Sequence, residues 1–111
     1  MNESPVFTRT YDMILWIIPQ AQKFPRAHRF VLAERIQRLA LDFQDSLVAA
    51  GKTKKDKRVA WLNRADIQLE QLRHWIRMAR DLHLFSIGQY EHVSRMTTEV
   101  GNLLGTWLKE S

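Results

Sequence analysis

Leu62-Asn63-Arg64-Ala65-Asp66-Ile67-Gln68-Leu69-Glu70-Gln71-Leu72-Arg73-His74-Trp75-Ile76-Arg77-Met78-Ala79 decides the fold. Leu62, Ala65, Leu69, Leu72, Ile76 and Ala79 recur every three or four residues, the spacing that lines one face of a helix with about 3.6 residues per turn. Trp61 and Trp75 fall on an adjoining stripe, and the remaining positions are polar or charged. The spacing predicts a helix from about Lys57 to Leu82, one face buried and the other in water.

Moving toward the N-terminus, Leu32, Ile36, Leu39, Ala40, Phe43 and Leu47 repeat the same pattern. They predict a helix from about Arg26 or Ala27 to Ala50, closed by Gly51 in a left-handed conformation. Before it, Ser4 is placed as an N-cap and Pro5 as the first helical residue, where a missing N–H costs nothing. Val6, Phe7, Thr10, Tyr11, Ile14, Ile17 and Ile18 then share one broad face, and Pro19 is expected to kink or end this helix, at about residues 5–21. Phe24-Pro25 marks the connection. Toward the C-terminus, Ser86 and Gln89 have the spacing of a capping box, which opens a fourth helix over about residues 87–108.

No stretch alternates as a half-buried strand does. The reading is therefore all-α, an antiparallel up-down-up-down four-helix bundle, because short links place consecutive helices side by side. With 111 residues and 45% hydrophobic content, one domain over residues 1–111 is expected, with a core that needs no covalent staples. Cysteine is absent, which removes disulfides and thiolate chemistry and suits a reducing cytoplasm, the expected location. Met1 to Pro5 lacks the basic start and apolar stretch of a signal peptide. The longest apolar run, Met13 to Ile18, falls far short of the roughly 20 residues that cross a bilayer, so no membrane association is expected.

The composition offers little for catalysis. His28, His74, His83 and His92 form no HExxH or paired ExxH pattern, and no metal or cofactor is expected. Gly51-Lys52-Thr53 matches only the end of a phosphate-binding loop, since Ser46 stands where its first glycine belongs and a helix, not a strand, precedes it. Asp42 and Asp45 read as a solvated face, with Asp42 four residues after Arg38. Nucleophile, base and orienter do not assemble, so the expectation is a binding protein and not an enzyme.

Charge is more informative. The net formal charge is +5, and residues 23–80 hold 14 of the 17 Lys and Arg against 6 of the 12 acids. Arg73, Arg77 and Arg80 stand at i, i+4 and i+7 on one helix face, with Glu70 placed to pair with Arg73. Arg26 and Arg29 begin the second helix, and in an antiparallel bundle they share an end with the close of the third. Planar guanidinium groups suit either nucleic-acid phosphates or an acidic protein surface. Lys52, Lys54, Lys55, Lys57 and Arg58 make a second basic cluster, an exposed turn at the opposite end, placed beside the end of the first helix and the start of the fourth. The tryptophans at 16, 61, 75 and 107 read as core residues before base-stacking platforms. Ser94, Thr97, Thr98, Gly101 and Gly105 form a strip of small residues that fits either a helix packed closely within the bundle or a subunit interface.

Several motifs carry a resemblance. Thr10-Tyr11-Asp12, Trp16-Ile17-Ile18-Pro19, Lys23-Phe24-Pro25-Arg26, Arg29-Phe30-Val31-Leu32 and Arg35-Ile36 open the chain as do the accessory variability (Avd) proteins of diversity-generating retroelements. Leu69-Glu70-Gln71-Leu72-Arg73, Arg77-Met78-Ala79-Arg80-Asp81-Leu82, Gln89-Tyr90-Glu91 and Gly101-Asn102-Leu103-Leu104-Gly105-Thr106-Trp107 are similar to the rest of the family pattern. The order and spacing of these motifs, over roughly residues 9–109, carry the likeness. It implies a four-helix bundle that forms a barrel-like homopentamer, binds the retroelement's reverse transcriptase and nucleic acid, and supports mutagenic retrohoming without an active site of its own. The matching basic positions are Arg73, Arg77 and Arg80, then Arg26 and Arg29; the Lys52–Arg58 turn departs from the pattern. The alternative is an RNA-associated structural bundle, like those encoded in intervening sequences of bacterial 23S ribosomal RNA genes, with no reverse transcriptase partner.

Overall fold

Ser4 has the extended backbone of an N-cap, and Pro5 occupies the first turn, so the chain enters its first helix as proline at that position favours. The computed structural model describes residues 4–111; Met1 to Glu3 and the reading made of them lie outside the described residues. Four α-helices follow: α1 (Pro5–Gln22), α2 (Glu34–Lys52), α3 (Lys55–Asp81) and α4 (Ile87–Glu110). They pack in cyclic order, each against the two beside it.

Side-chain pairs fix the direction of each helix. At one end Phe7 of α1 meets Trp107 of α4 edge to face, with ring centroids 5.6 Å apart. Further along, Arg9 Nε donates to Glu99 Oε2 at 3.1 Å. At the other end Trp16 lies 5.9 Å from Phe85, and Phe24, in the α1–α2 connection, lies 5.3 Å from the same ring. Start of α1 beside end of α4, and end of α1 beside the approach to α4, is the up-down-up-down arrangement. The molecule measures 44 × 24 × 20 Å, its length set by α3, whose 27 residues span about 40 Å.

All six residues that decide α3, Leu62, Ala65, Leu69, Leu72, Ile76 and Ala79, are buried. Leu32, Ile36, Leu39, Ala40, Phe43 and Leu47 meet them from the second helical segment. Met13 and Ile17 from α1, and Val93, Val100 and Leu104 from α4, complete a continuous core. Each fully buried side chain of this size stabilises the fold by about 1.5 to 3 kcal/mol.

Where the chain departs from its periodicity, local chemistry supplies the reason. Pro19 does not end α1, which continues to Gln22. Pro19 and Leu15, whose carbonyl Pro19 cannot bond, are both solvent-exposed, so water can take the bond the helix loses. Tyr11, expected inward, is 57% exposed, since the buried stripe runs through Thr10, Met13, Ile14 and Ile17 and leaves it on the flank. The second helix does not run uninterrupted from Arg26: a 3₁₀ turn (Arg26–His28) and a π-helical turn (Arg29–Ala33) precede α2. The wider π turn absorbs an extra residue and brings Leu32 and Ala33 onto the core side.

Gly51 does not take the left-handed conformation; it stays helical, and α2 ends one residue later with Thr53 extended at φ −101°, ψ 148°. Arg58 closes this end instead, its Nε donating to the Ala50 carbonyl at 2.9 Å and its Nη2 to the Thr53 carbonyl at 3.1 Å. The Thr53 hydroxyl also bonds the Ala49 carbonyl. The left-handed residue is His83 at φ 61°, which ends α3 with paired turns: His83 N–H to the Arg80 carbonyl at 2.9 Å and Leu84 N–H to the Ala79 carbonyl at 2.8 Å. The predicted capping box forms at α4, with Gln89 N–H donating to Ser86 Oγ at 3.1 Å and Ser86 N–H to Gln89 Oε1 at 2.9 Å.

Candidate partner and nucleic-acid interface

The α1–α2 and α3–α4 connections come together through the Phe24 and Phe85 rings, so the residues flanking them share one end of the bundle. Arg26 and Arg29 stand in the first connection; Arg77 and Arg80 lie in the closing turns of α3, with Arg73 one turn before. The structure thus places Arg26, Arg29, Arg77 and Arg80 toward the same end, whereas the Arg73 guanidinium, whose Nη1 lies 3.8 Å from where a Cβ on Gly101 would stand, is level with the middle of α4. They are not equally available. Arg26, Arg73 and Arg77 are exposed and enter no ion pair among the described residues. Glu70, expected to pair with Arg73, instead holds His74 at 3.3 Å, the i,i+4 geometry, which leaves Arg73 free of it. Arg29 is exposed and donates only Nε, to the Phe24 carbonyl at 3.4 Å, so its terminal nitrogens remain open to a partner.

Arg80 is more constrained. Its guanidinium carbon stands 4.6 Å from the Tyr90 ring centroid, and it contacts Asp81 Oδ1 at 2.8 to 2.9 Å. It is half-buried, so part of its charge is already answered by the fold.

The second cluster is split in the same way. Lys52, Lys54, Lys55 and Lys57 are exposed, around a connection only two residues long, Thr53-Lys54. Arg58 is committed to the α2 terminus and to the Trp107 ring, 5.8 Å from its centroid. This cluster lies beside the start of α1 and the end of α4, as the Arg58–Trp107 and Trp107–Phe7 contacts require, and not beside the opposite termini as the sequence reading had it. With α1 running up and α2 down, the close of α2 can only meet the start of α1.

Periodicity did not single out three further features. Arg35 lies over Trp75 at 5.8 Å and Arg64 over Trp61 at 5.6 Å, so two of the half-buried tryptophans carry cations on their faces. Phe30 is 84% exposed in the π turn; its position off the Leu32-Ile36-Leu39 face was the signal that could have found it. Arg38, by contrast, is tied to Glu34 at 2.6 to 2.8 Å, and that bond together with the Glu34 charge raises its pKa above the ordinary arginine value.

The small strip of α4 also divides. A Cβ added to Gly101 would stand 3.4 Å from Leu69 Cδ2 and 3.8 Å from Arg73 Nη1, whereas one on Gly105 would meet nothing within 4 Å. Gly101 therefore serves the α3–α4 approach, and Gly105 does not.

The histidines lie apart: His74 is on Glu70, His92 packs at a tilt against Trp16 with ring centroids 5.2 Å apart, and His83 forms the turn after α3. Among the described residues no group of three His, Asp or Glu side chains gathers to hold a metal ion, and no helix is long and apolar enough to cross a membrane.

The fold and surface define a basic four-helix bundle with exposed arginines at one end. The chain belongs to the bAvd-like family, whose model matches residues 6–111. No curated protein matches the chain with significance. Its backbone is similar to that of a protein of unknown function from the S23 ribosomal protein family of Bacteroides thetaiotaomicron, at TM-score 0.88 and 18% identity, covering 98% of this chain and 99% of that one. At that identity the likeness concerns the fold alone.

Proposed function

We propose that this chain is a non-catalytic accessory subunit of a diversity-generating retroelement, binding the reverse transcriptase and the template RNA or its cDNA through its arginine-bearing end. The observation that carries the reading is the grouping of Arg26, Arg29 and Arg77 at one end of the bundle, exposed and with side-chain nitrogens open, with exposed Arg73 one turn nearer its middle, in a member of the bAvd-like family. Guanidinium groups left without carboxylate partners suit the closely spaced phosphates of a nucleic acid. As a homo-oligomer, a pentamer in this reading, the subunit multiplies that basic end around an axis and so raises the effective concentration of phosphate-binding groups. The chemistry of retrohoming belongs to the enzyme; this subunit positions.

The similarity to a structure from the S23 ribosomal protein family favours a second reading, an RNA-associated structural bundle without a reverse transcriptase partner. Co-expression of the tagged chain with the reverse transcriptase of its locus separates the two. Co-purification of a complex containing several copies of this chain per enzyme, measured by light scattering, supports the retroelement reading. A stable oligomer that leaves the enzyme behind while retaining RNA overturns it in favour of the second.

A further inference from the structure

Phe30 is the most exposed large apolar side chain among the described residues, at 84%, and Val31 beside it is 67% exposed. Both sit in the π-helical turn Arg29–Ala33, where the extra residue per turn brings Leu32 and Ala33 inward and leaves the two preceding side chains in water. Burying a phenyl ring is worth about 1.5 to 3 kcal/mol, so the fold gains nothing from this placement. The flanking sequence is cationic: exposed Lys23, Arg26 and Arg29 lie within seven residues before Phe30 along the chain, and Glu34, four residues after it, is already paired with Arg38. The Arg29 Nε bond to the Phe24 carbonyl ties this turn to the ring that packs on Phe85, so the phenyl is presented from a braced segment.

We propose that Phe30 is a stacking platform for an unpaired base, with Arg26 and Arg29 holding the flanking phosphates, so that this end of the bundle takes single-stranded and not duplex nucleic acid. The inference rests on the reading that the arginine end binds nucleic acid. A projecting aromatic beside cations is the combination that single-strand binding uses, since every base offers a π face and the backbone offers charge. A duplex keeps its bases stacked on one another and can use only the cations. Phe30 stands out from the surface, 84% exposed. A nucleobase needs only its ring face, whereas an anchor for a folded partner would need a matching pocket on that partner.

The test compares the full-length protein with Phe30→Ala and Phe30→Trp, using fluorescence anisotropy with an unstructured RNA oligonucleotide and an RNA duplex of equal length. Phe30→Ala is expected to bind the single strand about 5- to 150-fold more weakly, with the salt dependence and the duplex affinity unchanged, while Phe30→Trp retains binding. Unchanged single-strand affinity in Phe30→Ala, alongside weakened binding in Arg26→Ala/Arg29→Ala, overturns the stacking role and leaves the basic-surface reading standing. Failure of the wild-type protein to bind either RNA overturns both. A change in oligomeric mass or loss of reverse transcriptase co-purification in Phe30→Ala, with RNA binding intact, makes the ring a protein contact and overturns the proposal.

Discussion

The guanidinium of Arg58 lies over the Trp107 indole, 5.8 Å from the ring centroid, and joins the start of α3 to the end of α4. The same side chain donates to the Ala50 and Thr53 carbonyls, so one cation completes the terminus of α2 and touches a third helix. Arg58→Ala leaves those carbonyls with one donor fewer and uncovers an aromatic face. It is expected to destabilise the protein by about 2 kcal/mol in urea unfolding. Lys54→Ala and Lys55→Ala, exposed and without ion pairs among the described residues, should stay within about 0.5 kcal/mol of wild type. Equal effects at all three positions would show that Arg58 is simply part of the basic turn.

His83 holds φ at 61° to close α3, a conformation that costs a residue with a Cβ about 1 to 2 kcal/mol. His83→Gly removes that strain but gives the unfolded chain more freedom. The net expectation is a gain of up to about 1 kcal/mol, seen as a raised Tm. A lowered Tm would mean that the exposed imidazole makes an interaction the helix end depends on.

Gly105 sits inside α4 with open space where a Cβ would go, so Gly105→Ala should stabilise the isolated subunit by about 1 kcal/mol. Gly101→Ala brings its methyl against Leu69 Cδ2 at 3.4 Å and should gain less. Measured by thermal unfolding together with light scattering, a Gly105→Ala variant that loses oligomeric mass would place that glycine in a subunit contact.

Arg73→Ala/Arg77→Ala removes two exposed guanidinium groups that no carboxylate answers among the described residues. Helicity and Tm should be unchanged, and RNA affinity should fall. On a single strand, the plot of log affinity against log salt should flatten by about 0.7 per lost phosphate contact. Arg80→Ala should instead cost stability as well, because Arg80 is already engaged with Tyr90 and Asp81. An unaltered salt slope in the double variant would reduce Arg73 and Arg77 to solvated surface.

The bundle and its core were legible because apolar spacing alone identifies a buried helix face: all six residues of the inward face named on α3, and all six on the second helical segment, are buried. The Ser86–Gln89 cap was legible for the same reason, since its chemistry acts within four residues. Less visible were the features that depend on what a side chain meets across the bundle. Gly51 looked like a terminator until Arg58, seven residues later, proved to supply the donors that close α2. Pro19 looked like a breaker, but its exposed position lets α1 pass through it. In the candidate interface, spacing aligned Arg73, Arg77 and Arg80 on α3, but it could not distinguish Arg77, exposed and without an ion pair among the described residues, from Arg80, folded onto Tyr90.

Arg80 lies in the last turn of α3, where the aligned peptide dipoles leave partial negative charge, whereas Arg26 and Arg29 precede α2, whose opening turn carries partial positive charge. The first arrangement favours folding by about 0.3 to 1 kcal/mol, whereas Arg26 and Arg29, set before the helix, gain nothing of the kind. Local stability therefore accounts for the charge on Arg80 but not for that on Arg26 and Arg29. Arg29 also braces its turn through the Phe24 carbonyl, so only Arg26 can be neutralised without loss to the fold, and doing so removes a charge that the binding role requires.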